Sequence, residues 1–295
     1  MNQKEYDDSL YIENIEDIIN DVYYSNASYK TKISRARTLA EYIIRRLIKQ
    51  SPNKELTLGD ERTKNQLKRM GVTEDFFWNA YKVIQRTGNE ATHSKSCDRS
   101  TADDFSKVSI AVTTLYAYLF FDYFKKYKFG VNEDIVTAFS ILPPNLRFIV
   151  LRELVFADCD CDSYIVNKFL LSLIKSTGVV NAKEWVNKNK DRLCSIPMSY
   201  GSGDMKEKIC KYGIDNIQIV MAEMQETVYD YLIREIQDPK MCLFNPENLP
   251  YHSFEEAKIY YEKHGVVSGN AEDVKQFNAL MQYVYTGRED YQIKY

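Results

Sequence analysis

The stretch VSIAVTTLYAYLFFDYF, residues 108–124, is the longest strongly apolar run in the chain, and its reading decides what kind of protein this is. A membrane-spanning helix needs about 20 consecutive apolar residues. This run is interrupted at Asp122 before reaching that length, so a helix buried in a globular protein is expected. Phe105, Val108, Val112, Leu115, Leu119 and Phe120 recur at the three- and four-residue spacing that gathers side chains on one helical face. Ser100 with Asp103 three residues on has the form of a capping box that would start the helix, which is expected to end near Lys128.

Working back from that helix, the same periodicity continues. Residues 9–26 place Leu10, Ile12, Ile15, Ile18, Ile19 and Val22 on one face, and residues 29–49 do so with Ile33, Leu39, Ala40, Ile43, Ile44 and Leu47. SPNKELTLGDE (51–61) reads as a loop leading into a short basic helix. Thr73 is then placed as an N-cap, because Glu74 and Asp75 fall in the first turn, where the helix dipole favours acids. That helix carries Phe76, Phe77, Ala80, Tyr81 and Ile84 and delivers Arg86, and Gly88 is expected to end it with a positive φ.

Working forward, KFGVNED (128–134) marks a boundary. A proline-started helix follows in ILPPNLRFIVLRELVF, with further helices at 163–176, 181–193, 205–236, 253–264 and 271–285. PMSYGSGDM (197–205) reads as a connection; its Gly-Ser-Gly lacks the strand, Lys and Ser/Thr of a phosphate loop. With only 11 Gly and 7 Pro among 295 residues, long helices are favoured over many short strands. The expected fold class is all-α, with an N-terminal helical unit over 1–130 and a second helical region of unassigned role over 131–295.

Several function classes are disfavoured. The start, MNQKEYDDSLYIENIEDI, is acidic and lacks the basic flank and apolar core of a signal peptide, so a cytoplasmic protein without a membrane partner is expected. Cys97, Cys159, Cys161, Cys194, Cys210 and Cys242 are mostly isolated, which gives little support to a disulfide framework. DCDCD (158–162) has no second cysteine pair or neighbouring histidine and reads as a surface turn, so no metal or other cofactor is expected. His252 and His264 read as surface or capping residues.

The net charge of −3 conceals an asymmetry. Residues 28–99 carry sixteen Lys or Arg against eight acids, net +8, while residues 1–27 carry one Lys against seven acids. A basic surface favours a polyanionic partner, though a solvated helical face has the same composition.

That basic region contains RTGNEATH, residues 86–93. Arg86 can hold a phosphate and stabilise the charge of a transition state, and His93, ordinarily near neutral pKa, can take or give a proton. On a continuous helix the two would lie about 340° apart around the axis and roughly 10 Å along it. One small phosphate could not then be gripped by both, so either a break at Gly88 or a two-fold dimer pooling two pairs is needed. The competing reading is structural: Gly88 caps a helix, Asn89 pins the turn, and Glu41 or a carbonyl ties Arg86 and His93. Glu90 reads as an exposed charge.

RARTLAEYIIRRLI (35–48), followed by RTGNEATH (86–93) and a long apolar helix, resembles the HEPN superfamily of helical bundles. It is most similar to the HEPN-like domain of unknown function found with restriction enzymes and its Arg-x-x-Gly-Asn-x-Ala-x-His pattern. Arg86, Gly88, Asn89, Ala91 and His93 match, as do Arg37 and Glu41 on the earlier helix, although Thr87 follows the arginine where many active members carry a polar Asn, Asp or His. The resemblance covers roughly residues 28–128. It implies a metal-independent endoribonuclease, dimeric, with Arg86 as phosphate ligand, His93 as general acid/base and Asn89 orienting the pair. It also implies RNA as substrate, a role in prokaryotic anti-phage defence or a toxin system, and a defence-system or antitoxin protein as partner. The alternative it leaves open is a non-catalytic interaction or RNA-binding module within a larger defence or restriction assembly.

Overall fold

Apolar residues at helical spacing and few chain breakers produce an all-α protein. A computed structural model describes residues 12–50, 54–92, 100–157, 161–199, 206, 209–210, 212–223, 225–238, 251 and 253–288. The helices, numbered here in chain order, begin with α1 (Ile12–Ile19), which continues into a π-helical turn (Asn20–Tyr24), and α2 (Tyr29–Leu47). They continue with α3 (Glu61–Arg69), α4 (Asp75–Thr92) and α5 (Ala102–Tyr127). Then come α6 (Glu133–Phe139), α7 (Pro144–Ala157), α8 (Ser163–Thr177), α9 (Val179–Lys188) and α10 (Lys190–Cys194). The last are α11 (Ile217–Glu223), α12 (Val228–Gln237), α13 (Phe254–His264) and α14 (Glu272–Tyr285). Among the described residues the only sheet is a parallel pair, β1 (Cys161–Asp162) with β2 (Met198–Ser199). No described helix is long and apolar enough to cross a membrane.

The chain divides into two compact units: residues 1–122 with 254–295, and residues 123–253. This differs from a single boundary near residue 130, because α13 and α14 belong with the N-terminal helices. The physical reason is visible in three contacts. Phe277 of α14 meets Phe120 of α5 edge-on, with ring centroids 6.2 Å apart. Gly287, at φ +71°, lies so close to α1 that a Cβ there would stand 2.8 Å from the Glu16 Cα. Arg288 is buried with its guanidinium over the rings of Tyr23 (4.3 Å) and Phe254 (4.4 Å). Beside it Tyr24 donates its hydroxyl to Glu255, and burial together with that carboxylate pushes the phenol up to about 12.

Within the first unit α2 packs along α4, and Phe76 and Phe77 of α4 meet Tyr118 of α5 at 5.6 and 4.5 Å between ring centroids. Ser28 caps α2 by accepting the Thr31 N–H, and Asp60 caps α3. In the second unit α7 and α8 pack most closely, with Val150, Leu154, Phe169 and Leu173 in the core.

Several local expectations are corrected. The capping box of α5 is one residue later than Ser100/Asp103: the Thr101 N–H donates to Asp104 Oδ2 (3.0 Å) and the Asp104 N–H to Thr101 Oγ1 (3.2 Å). The Thr101 N–H and the Thr101 hydroxyl, both donating to the Asp104 carboxylate, hold that carboxyl below its ordinary pKa. Helix α4 starts at Asp75, and the Thr73 N–H donates to the Glu74 carboxylate rather than Thr73 capping the helix with its hydroxyl. Asn132 starts α6, a helix not anticipated, by accepting the N–H groups of Asp134 and Ile135. Residues 205–236 are not one helix, since α11 and α12 are separate and a Thr227/Asp230 capping box begins the latter. Cys161 is buried in β1 and donates to the Val155 carbonyl, while Asp162 caps α8, so the described end of DCDCD is not a surface turn. His264 ends α13 as an exposed residue beside Tyr260. His252, Cys97, Cys159, Cys242 and the Gly-Ser-Gly at 201–203 lie outside the described residues.

Candidate functional site

The segment RTGNEAT stays helical. Helix α4 runs unbroken through Gly88 to Thr92, and Gly88 is not among the glycines with positive φ. The expectation that Gly88 ends the helix is therefore corrected. Its small size serves a close approach: a Cβ there would stand 2.7 Å from Cδ and 3.1 Å from Cβ of Arg37. Helix interiors disfavour glycine by about 1 kcal/mol relative to alanine. Here that cost is offset by letting the Arg37 side chain lie directly across the α4 backbone.

Arg37 organises the junction of α2 and α4. Its Nη1 donates to Asn89 Oδ1, and its Nε faces Glu41 Oε1 at 3.5 Å, one turn along the same helix. Glu41 Oε1 also accepts the Leu58 N–H at 3.4 Å. The Leu58 carbonyl in turn accepts the Tyr81 hydroxyl of α4 at 2.5 Å. The side chains of Arg37 and Glu41 are 15% and 20% exposed, withdrawn enough from water for their contacts to matter. Burial raises the Glu41 carboxyl above its ordinary pKa, against the opposing pull of the Leu58 N–H and the Arg37 charge. Glu41, suggested by the sequence as a tie for Arg86 or His93, is thus engaged by Arg37 and the 58 peptide.

The three expected site residues have different settings. Arg86 is exposed on α4 and makes no hydrogen bond or ion pair with any described residue. Asn89, expected to orient the pair, is half-buried with its Oδ1 held by Arg37. His93 lies outside the described residues, immediately after the last helical position. A second cation near Arg86 was not legible in the sequence: Lys107 of α5 lies close enough to feel the Arg86 charge. Lys107 pairs with Asp103 at 2.5 Å, which raises its pKa, and both are exposed. Glu90 is exposed, as expected.

Elsewhere in this unit a polar groove of about 360 Å3 runs between α1 and α2, lined by Asn14, Asp17, Asn20, Asp21, Arg35 and Tyr42 among others. Asp21 is engaged there by Arg35 at 2.9 Å. Among the described residues no group of three or more His, Cys, Asp or Glu side chains is arranged to hold a metal ion. Comparison of the chain with protein-family models, curated proteins and solved structures returns no match.

Proposed function

We propose that the chain is a HEPN-type, metal-independent endoribonuclease that acts as a homodimer in prokaryotic anti-phage defence or a toxin system. The observation that carries this reading is the contrast between two arginines of the resembling motif. Arg37 is consumed by fold contacts, whereas Arg86, one turn before Asn89, is exposed and has no ion pair among the described residues. An arginine so placed suits an external phosphate.

In the proposed reaction the neutral His93 of one protomer takes the proton of an RNA 2′-hydroxyl, the 2′-oxygen attacks the adjacent phosphorus, and the phosphorus–5′-oxygen bond breaks as the protonated His93 of the second protomer gives the leaving oxygen a proton. Arg86 binds the phosphoryl oxygens and stabilises the charge that builds on them. The products carry a 2′,3′-cyclic phosphate and a 5′-hydroxyl. Helix α4 does not break at Gly88, and two-fold pooling of two pairs is the geometry proposed for the reaction. The test is incubation of the purified protein with mixed RNAs in EDTA. Cleavage leaving cyclic phosphate ends is expected, with loss of roughly a hundredfold or more in rate in Arg86→Ala and in His93→Ala. Absence of cleavage, or cleavage unchanged in His93→Ala, overturns the catalytic reading.

A second reading is favoured by a specific observation. The Gly88 approach and the Arg37–Asn89 bond give half of the motif a structural use, as suits a non-catalytic RNA-binding or interaction module in a larger defence or restriction assembly. It predicts a stable complex with a protein partner that survives replacement of both Arg86 and His93 by alanine.

A further inference from the structure

In the second unit α7 carries Phe148, Arg152 and Phe156 at four-residue intervals. The three side chains therefore form one row along the helix, about 12 Å from first to last. Trp185 of α9 closes on this row, its ring 5.5 Å from that of Phe148, edge-on, and 6.2 Å from that of Phe156 at an interplanar angle of 22°. Guanidinium groups alternate with the rings: Arg152 stands 5.5 Å from the Phe148 centroid, and Arg192 of α10 lies over Phe156 at 3.6 Å. Phe148, Phe156 and Trp185 are each only partly buried, so the row reaches the surface.

Arg192 decides what this surface suits. Arg152 pairs with Glu153 at 2.5 Å, whereas Arg192 is exposed and has no carboxylate partner among the described residues. The ring of Phe156 covers one face of its guanidinium and holds it in place, which reduces the side-chain entropy that binding would otherwise cost. The surrounding charge has the same sign. Residues 183–192, KEWVNKNKDR, hold four Lys or Arg against two acids. Of these, Lys188 follows Trp185 by three positions and shares its side of α9, while Lys183, two positions before Trp185, lies on the opposite side.

We propose that this face of the second unit binds single-stranded nucleic acid. Aromatic rings and guanidinium planes take unstacked bases, and the cations beside them take the phosphates between those bases. A duplex keeps its bases stacked on one another and offers no free ring face, and an acidic peptide offers charge without a planar ring. A single strand supplies both. The surface lies wholly within the second unit and uses none of the residues of the proposed nuclease, so it would hold a strand whether or not Arg86 and His93 cleave one.

The test is fluorescence anisotropy of a short labelled oligoribonucleotide on the full chain carrying Arg86→Ala and His93→Ala, which keeps the probe intact and takes the proposed nuclease site out of the measurement. In that background Arg192→Ala is expected to weaken binding roughly tenfold. Arg192→Lys should recover only part of the loss, because an ammonium has no plane to stack, and Lys183→Ala, on the far side of α9, should stay within about twofold. Tighter binding of the oligoribonucleotide than of the matching oligodeoxyribonucleotide identifies RNA as the ligand, and equal binding identifies any single strand. A second readout leaves the surface intact: with Trp78→Phe, Trp185 is the sole tryptophan, and its emission should be quenched as the strand binds. No binding, an affinity unchanged in Arg192→Ala, or an unquenched Trp185 overturns the proposal. So does a duplex bound as tightly as the single strand, or poly-glutamate bound more tightly, which would assign the face to an acidic protein.

Discussion

Arg37 in the first unit and Arg147 in the second are both largely withdrawn from water, and their surroundings differ in kind. Around Arg37 the chain supplies a carboxylate, Glu41, and an amide oxygen, that of Asn89, and sets a glycine beneath the side chain so that it can reach both. Around Arg147 a cavity of about 80 Å3 is lined by two more cations, Lys168 and Lys175 of α8. The difference teaches how to sort buried charge. A cation held by a neighbouring carboxylate and amide is a fastening, whereas cations gathered around one space, together with burial, hold the lysines among them below their ordinary pKa. Arg86 makes a third case, exposed to solvent and unanswered by any described residue.

The fastening is the easier half of this comparison to break. Gly88→Leu is expected to have the largest effect on stability, a loss of about 3 kcal/mol in denaturant unfolding, because its side chain would occupy the space of Arg37. Arg37→Met should cost about 2 kcal/mol, since it removes the charge beside the partly buried Glu41 carboxylate and the donor to Asn89 Oδ1.

Glu41→Gln sharpens the comparison through pH. The Glu41 pKa is raised on folding, so the protonated form is favoured in the native state and the contribution of this group to stability falls as pH rises from the unfolded pKa through the folded one. Unfolding curves from about pH 4 to pH 7 should therefore show the stability of Glu41→Gln improving relative to wild type as pH rises; the opposite slope would mean that the Arg37 attraction outweighs burial. The smallest effect belongs to Arg86→Ala, whose stability should stay within about 0.5 kcal/mol of wild type. A larger loss would reclassify Arg86 as a fastening like Arg37.

The sequence was most informative where structure is decided locally. The periodicity of Ile33, Leu39, Ile43 and Ile44 located α2, and the run from Val108 to Phe124 located α5, because burial of one helical face writes itself into spacing. The capping box of α5 was displaced by one position because Ser100/Asp103 and Thr101/Asp104 satisfy the same pattern, and only the backbone bonds distinguish them. Gly88 was misread for a deeper reason. A glycine that permits close approach cannot be told from a glycine that ends a helix until its neighbour is known, and that neighbour, Arg37, is 51 positions earlier in the chain. The same limit hid the cavity lined by Arg147, Lys168 and Lys175, since these residues form no recognisable motif along the chain.

The packing of Phe277 on Phe120, of Gly287 on α1 and of Arg288 on Tyr23 also sets an order of events during synthesis. Residues 123–253 are synthesised before these residues, so the first unit waits with part of its apolar surface uncovered. A nascent chain halted near residue 250 would lack α13 and α14, leaving Phe120 without the Phe277 ring that meets it in the native protein.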